Sequence, residues 1–136
     1  MINISKQKVY YADTDSFGVV WHGSYLRWLE AGRIALCEDF GYKMSELADM
    51  DIVLPVVNIN IDYKASAMFE DELIVETKLS EFGRFHMIFN QVIKNANTGK
   101  VYTVADVKIV AVSKTGKLYR NLPEVLQKFC EGVIEK

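Results

Sequence analysis

Cysteine is scarce in these 136 residues, where Cys37 and Cys130 are the only two. Neither sits in a C-x-x-C pair or beside a ligand cluster, so neither redox chemistry nor a metal centre is signalled, and both read as small buried or half-buried side chains. No run of Lys or Arg is long enough to follow a phosphodiester backbone. Sixteen basic against eighteen acidic side chains leave a net charge of −2, which argues against nucleic acid as a partner. No stretch holds enough uninterrupted apolar residues to span a bilayer, and the N-terminal MINISKQKVYY lacks the apolar core of a signal peptide. A soluble, cytoplasmic protein with no transmembrane segment is expected. Repeats, low-complexity tracts and linkers are lacking too. Since 50% of the residues are hydrophobic, one core can be filled, and residues 1–136 are expected to form a single domain.

What is present concentrates in Tyr10 to Phe40, YYADTDSFGVVWHGSYLRWLEAGRIALCEDF. Asp13 and Asp15 close an aromatic run, Gly18 marks a turn, and His22 opens a helical pattern. Acid, turn and imidazole thus meet at one helix N-terminus, where unpaired backbone N–H groups and the positive dipole end can hold an anion or polarise a carbonyl. A carboxylate nearby could attack that carbonyl or activate water.

Lys6 to Asp13 alternates weakly and is aromatic, which predicts a first strand. From His22, the residues Tyr25, Leu29, Gly32, Leu36 and Phe40 recur at helical spacing, which predicts an amphipathic helix ending at Gly41. Gly32 costs roughly 1 kcal/mol relative to Ala in mid-helix, so something is expected to press closely against it. Tyr42 to Asp51 reads as an irregular link. Strict alternation from Val57 to Lys64 gives the clearest strand, followed by Leu73 to Leu79, a turn at Phe82 and Gly83, and a strand carrying Phe85, Met87, Phe89 and Ile93. Asn95 to Gly99 is a second turn, Val101 to Val112 a long apolar strand, and a short helix starts near Pro123. The short connections imply antiparallel hairpins. The order predicts an α+β domain with one curved antiparallel sheet packed on a central helix. On periodicity alone, a cystatin-like fold or another open cone-shaped α+β fold fits almost as well.

The pattern Y-x-D-T-D-x-x-G-V-V-x-H-x-x-Y-x-x-x-x-E-x-x-R, read as Tyr11, Asp13, Thr14, Asp15, Gly18, Val19, Val20, His22, Tyr25, Glu30 and Arg33, resembles the hotdog-fold acyl-CoA thioesterases. The likeness is to the 4-hydroxybenzoyl-CoA thioesterase group, including the Tol-Pal-cluster thioesterase. The resemblance implies a five-stranded antiparallel sheet wrapped around a long central helix, with a short C-terminal helix. It implies that Asp15 is the catalytic carboxylate and that the region Val20 to His22 supplies a backbone N–H to the thioester oxygen. It further implies homodimers or homotetramers with acyl-CoA, or an acyl carrier protein thioester, in the cleft between subunits, and no metal or prosthetic group. Ser66 stands where many members carry Pro, a departure that touches only a turn.

Set beside these readings are plainer ones. Asp13 is expected to be a turn-capping residue. An O,O,N metal set of Asp13, Asp15 and His22 lacks visible further ligands. His22 stands with Asp15 as a candidate catalytic residue, its side chain expected to orient substrate or assist proton transfer beside its backbone role. Gly18, Val19, Val20, Trp21 and Tyr25 are the candidate substrate contacts, although Tyr25, like Trp28, also suits a core. Glu30 and Arg33 read as a surface ion pair, while Lys64 and Arg84, near strand ends, are the candidates for the phosphates of CoA. A thioester suits so small a site, because its carbonyl gains little resonance from sulfur and thiolate leaves readily. The competing class is a non-catalytic acyl-CoA binding module on the same fold. A hotdog dehydratase would show a different His and acidic pairing on the helix, and a cystatin-like inhibitor would leave the D-T-D pattern unexplained.

Overall fold

A computed structural model describes residues 1–134. Eight elements follow one another: β1 (Ile2–Lys8), α1 (His22–Asp39), α2 (Met44–Asp49), β2 (Val56–Tyr63), β3 (Glu72–Phe82), β4 (His86–Asn95), β5 (Val101–Val110) and α3 (Glu124–Val133). The strands form one sheet in the order β1-β3-β4-β5-β2, and every neighbouring pair is antiparallel. Among the described residues no helix is long and apolar enough to cross a membrane.

Alternation sorts each strand into a core face and a solvent face. Leu73, Val75 and Leu79 of β3, Met87, Phe89 and Ile93 of β4, and Ala105, Val107 and Ile109 of β5 are buried in one core that α1 shares. Trp28, Leu29 and Leu36 face them from the helix. The pressure expected on Gly32 comes from β3 and β4. A Cβ there would lie 2.5 Å from Thr77 Oγ1 and 3.0 Å from Gln91 Nε2. Those atoms form a buried polar cluster in the sheet centre. Gln91 Nε2 donates to Leu29 O and to Thr77 Oγ1, both at 2.8 Å, and Gln91 Oε1 accepts from an Arg33 guanidinium N–H at 3.0 Å. Arg33 is therefore turned inward to the sheet and not ion-paired with Glu30 as its spacing suggests, so that expectation is corrected: a nonlocal acceptor outcompetes an exposed carboxylate.

Three further boundaries differ from expectation. The first strand lies at Ile2–Lys8 and not at Lys6 to Asp13, because Tyr11–Asp13 is wound into a 3-10 turn in which the Tyr10 N–H bonds Asp13 Oδ2 at 2.9 Å. Tyr42 to Asp51, expected as an irregular link, contains α2, whose one buried side chain, Leu47, gives no periodicity to detect. The helix from His22 ends at Asp39, two residues before Gly41, which adopts φ +105° as a left-handed residue after a helix should. The terminal helix starts after Pro123 as expected and buries Leu126, Phe129, Cys130 and Val133. At the other sheet edge, β2 is bonded on one side only. Its core-facing Val56, Ile59 and Tyr63 stay 40%, 36% and 45% exposed, so α1 leaves this edge of the inner face uncovered.

Candidate active site

Residues 14–20 form a minimal hairpin. Thr14 pairs with Val20, the Asp15 N–H donates to Val19 O at 2.8 Å, and the Gly18 N–H donates to Asp15 O at 3.1 Å. Gly18 takes φ +80°, a conformation that costs glycine nothing and other residues strain. The hairpin is tied to the helix through one carbonyl: Asp13 O accepts the Trp21 N–H at 2.9 Å and Ser24 Oγ at 3.0 Å. It is tied to the loop after β2 by the Val20 N–H on Ala67 O at 2.9 Å and a bridge between Val19 and Met68. Every turn of this short segment is thereby fixed by backbone bonds.

Its side chains divide sharply in role. Asp13 is 3% exposed, and its carboxylate is fully engaged, with Oδ2 on the Tyr10 N–H and Oδ1 in an ion pair with Arg27. Arg27 in turn lies 5.8 Å over the Trp28 ring. Asp13 is thus the turn-holding residue its type suggests, buried with a partner on each carboxylate oxygen. Asp15 is half-buried; its Oδ1 accepts the Phe17 N–H at 2.8 Å, and its Oδ2 takes no hydrogen bond among the described residues.

The N-terminus of α1 is also left open. Trp21 occupies the capping position without a side-chain cap, and no acidic residue stands in the first turn. The Trp21 N–H is used by Asp13 and the Ser24 N–H by Trp21 O, whereas the His22 and Gly23 N–H groups have no acceptor among the described residues. A helix lacking its usual Ser, Thr, Asp or Asn cap keeps donors that a ligand can take. The Trp21 indole lies across Gly23 so closely that a Cβ there would meet the ring at 2.3 Å. The His22 ring is exposed, 5.1 Å from Trp21 and 6.3 Å from Tyr63 between centroids, and the Tyr63 hydroxyl donates to His22 O at 3.0 Å. Tyr25 is 2% exposed and accepts the Ala67 N–H at 2.9 Å; burial raises its phenol above the ordinary value, so it remains neutral and holds the loop from within. Of the two cations expected near CoA phosphates, Lys64 directly follows Tyr63 at this end of the sheet. Arg84 lies beyond the far end of β3 and bonds Asn121 Oδ1 at 2.9 Å. From Leu73 to Phe82 that separation is roughly 30 Å within one protomer.

Gly23, Arg27, Tyr63 and Ala67 escaped the sequence reading. Gly23 alone carried a local signal, as a glycine in a first helical turn beside Trp21; the others act through partners distant in sequence.

One segment thus holds a half-buried hairpin carboxylate with one unbonded oxygen and, a few residues on, an uncapped helix N-terminus; comparison with known proteins gives the class. The profile of the thioesterase-like superfamily matches residues 9–130, and the chain belongs to that family and is a thioesterase. The acyl-CoA thioesterase candidate YneP of Bacillus subtilis is 35% identical over 96 residues, covering 69% of this chain and 70% of its own. The acyl-CoA thioester hydrolase YbgC of Escherichia coli is 29% identical over 117 residues, covering 86% and 87%. A crystal structure of the DHNA-CoA thioesterase of Staphylococcus aureus superposes with a TM-score of 0.88 at 24% identity, covering 96% of this chain and 90% of that one, and carries the fold.

Proposed function

We propose that this thioesterase hydrolyses acyl-CoA to free acid and CoA, with Asp15 as the reacting carboxylate and the amides of His22 and Gly23 as donors to the thioester oxygen. The observation that carries the assignment is that Asp15 keeps one carboxylate oxygen pinned by Phe17 and the other unbonded, on a hairpin that leads directly into the helix turn bearing the two open amides. Pinning fixes direction, and the free oxygen keeps its lone pairs. Donors fixed in advance stabilise the tetrahedral oxyanion more than the ground-state carbonyl.

Two routes use the same atoms. In one, Asp15 Oδ2 attacks the thioester carbon, the C–S bond breaks, CoA leaves as thiolate, and water then hydrolyses the mixed anhydride. In the other, Asp15 accepts a proton from water, whose oxygen attacks and expels the same thiolate. Both need neither metal nor cofactor. The His22 imidazole, exposed at the helix start, orients substrate or protonates the leaving sulfur. Trp21, Val19 and Gly18 form the near wall, Val20 and Tyr25 support it from the core, and Lys64 meets CoA phosphate. The uncovered β2 edge is where a second copy adds, giving a homodimer or a homotetramer built from dimers and a site shared between subunits. Acyl carrier protein thioesters present the same carbonyl and sulfur, and a cytoplasmic location supplies either carrier. Thiol release from acyl-CoA, followed with the full chain, tests the proposal: CoA release that depends on Asp15 is expected, and folded protein releasing none refutes it.

A further inference from the structure

A cavity of about 470 Å³ opens between α1, α2 and the inner face of the sheet, and none of the hairpin residues lines it. Its walls include Ile34, Met44, Leu47, Val56, Met87 and Phe89, and its charged lining residues are Glu30 and Arg33. Both sit on α1 nearer to His22 than the remaining α1 lining residues, Ile34 and Cys37. Arg33 is already spent on Gln91, and Glu30 beside it offsets its charge.

We propose that this cavity takes the far end of a long, unbranched saturated acyl chain, so that the enzyme selects aliphatic substrates of more than about ten carbons. The inference rests on the proposed reaction at Asp15, since it measures the chain from there. Glu30 lies eight residues beyond His22, about 12 Å along the helix axis, a distance an extended chain covers in roughly ten carbons. Between the two runs a strip of α1 carrying Leu26, which is 39% exposed, while the core-facing Ile59 of β2 is left uncovered as well. The strip ends at Val56, which is both on β2 and in the cavity wall. Carbonyl at the helix N-terminus, chain past Leu26 and the Glu30–Arg33 turn, and methyl end among the apolar walls of the cavity thus follow the axis of α1. A benzoyl group held at the helix N-terminus is too short to reach the cavity. If a methylene fills about the volume of one liquid water, near 30 Å³, the cavity has room for the terminal carbons of a fourteen- or sixteen-carbon chain.

The test is thiol release from saturated acyl-CoAs of four to sixteen carbons and from benzoyl-CoA, all below their micellar concentrations. Full entry of each methylene is worth roughly three- to fourfold in kcat/KM, so a steep rise beyond ten carbons is expected. Ala48 lines the cavity from α2. Ala48→Leu and Ala48→Phe should lower the ratio of tetradecanoyl to butyryl turnover stepwise, by about tenfold for Phe. The ratio is read on folded protein, and should Ala48→Phe fail to fold, Ala48→Leu and the wild-type profile decide. A flat profile, preference for benzoyl-CoA, or a ratio untouched by folded fillers overturns the inference, including the case in which a second copy's side chains occupy the space. Release from no acyl-CoA at all would instead sink the reaction at Asp15. In that event a rise in melting temperature with tetradecanoate, lost in Ala48→Phe, would still support the cavity as an aliphatic-chain site, and no rise would refute it.

Discussion

Replacing each aspartate of the hairpin by asparagine separates chemistry from architecture, because the two carboxylates do opposite things within two residues of each other. Asp15→Asn keeps a carbonyl oxygen for the Phe17 N–H, the one hydrogen bond its carboxylate accepts, so stability should hardly change. It removes the nucleophile and the base together, and kcat should fall roughly 10²- to 10⁴-fold with KM little altered. Asp13→Asn can keep the Tyr10 bond but loses the ion pair with Arg27 and turns N–H donors toward a guanidinium. A charge-assisted hydrogen bond is worth about 1.5–3 kcal/mol. Arg27 is 62% exposed in its side chain, so water and screening take back part of that, leaving about 1–2 kcal/mol. For a chain of this length the melting temperature should drop by about 3–8 °C, while turnover of the folded protein falls only as far as Asp13 O shifts beneath Trp21 and Ser24. The measurements are kcat from thiol release and melting temperature by calorimetry at one protein concentration. A stable, inactive Asp13→Asn beside an active Asp15→Asn would refute the assignment and move it by two residues. Full turnover with lost stability in Asp15→Asn would reduce that carboxylate to a turn cap.

Tyr63→Phe removes the donor to His22 O; a several-fold lower kcat with nearly unchanged melting temperature is expected, and an unchanged kcat would show that the first turn of α1 needs no such pin. Gly32→Ala gains helix propensity of roughly 1 kcal/mol, yet its methyl meets Thr77 Oγ1 at 2.5 Å on a stiff side chain, so net destabilisation of about 1–3 kcal/mol should appear in urea unfolding. Burial pushes the Cys37 thiol up to about 11 and Cys130 to about 12, from 9.0. Their contribution to stability is therefore complete below pH 9 and lost as pH rises through 11 to 12, and a thiol reagent at pH 8 should label neither until denaturant is added. Light scattering at micromolar concentration should give at least twice the 15.5 kDa chain mass; a monomer would remove the shared-site arrangement.

Where one face of an element is buried, the sequence could be read directly. β3, β4 and β5 alternate because one side faces the core, and Gly32 announced the close approach of Thr77 and Gln91. The hairpin was legible for a different reason: Asp13 to Ser24 is bonded mostly within itself, so its residue types stand together in the sequence. β1 was misplaced because it is an edge strand with Ile2 and Ile4 on its exposed side, whereas the aromatic Tyr10 and Tyr11 that mimic a strand are wound up by Asp13. The inward turn of Arg33 to a glutamine 58 residues away, and the hydroxyl Tyr63 brings from β2, leave no trace in local spacing. The cavity draws its walls from six elements and the segment before β2, and no short window of sequence could have shown it.

The hairpin's bonds run to itself, to the first turn of α1 and to Ala67, while the cavity wall begins at Glu30 and continues in α2, the sheet and α3. The hairpin carboxylate proposed to react and the space down the helix are therefore written in separate stretches of the chain, joined by α1. Mutational drift can reshape the wall around Met44, Ala48 or Met87 without disturbing the carboxylate. A lineage built on this scaffold is free to change its diet while keeping its teeth.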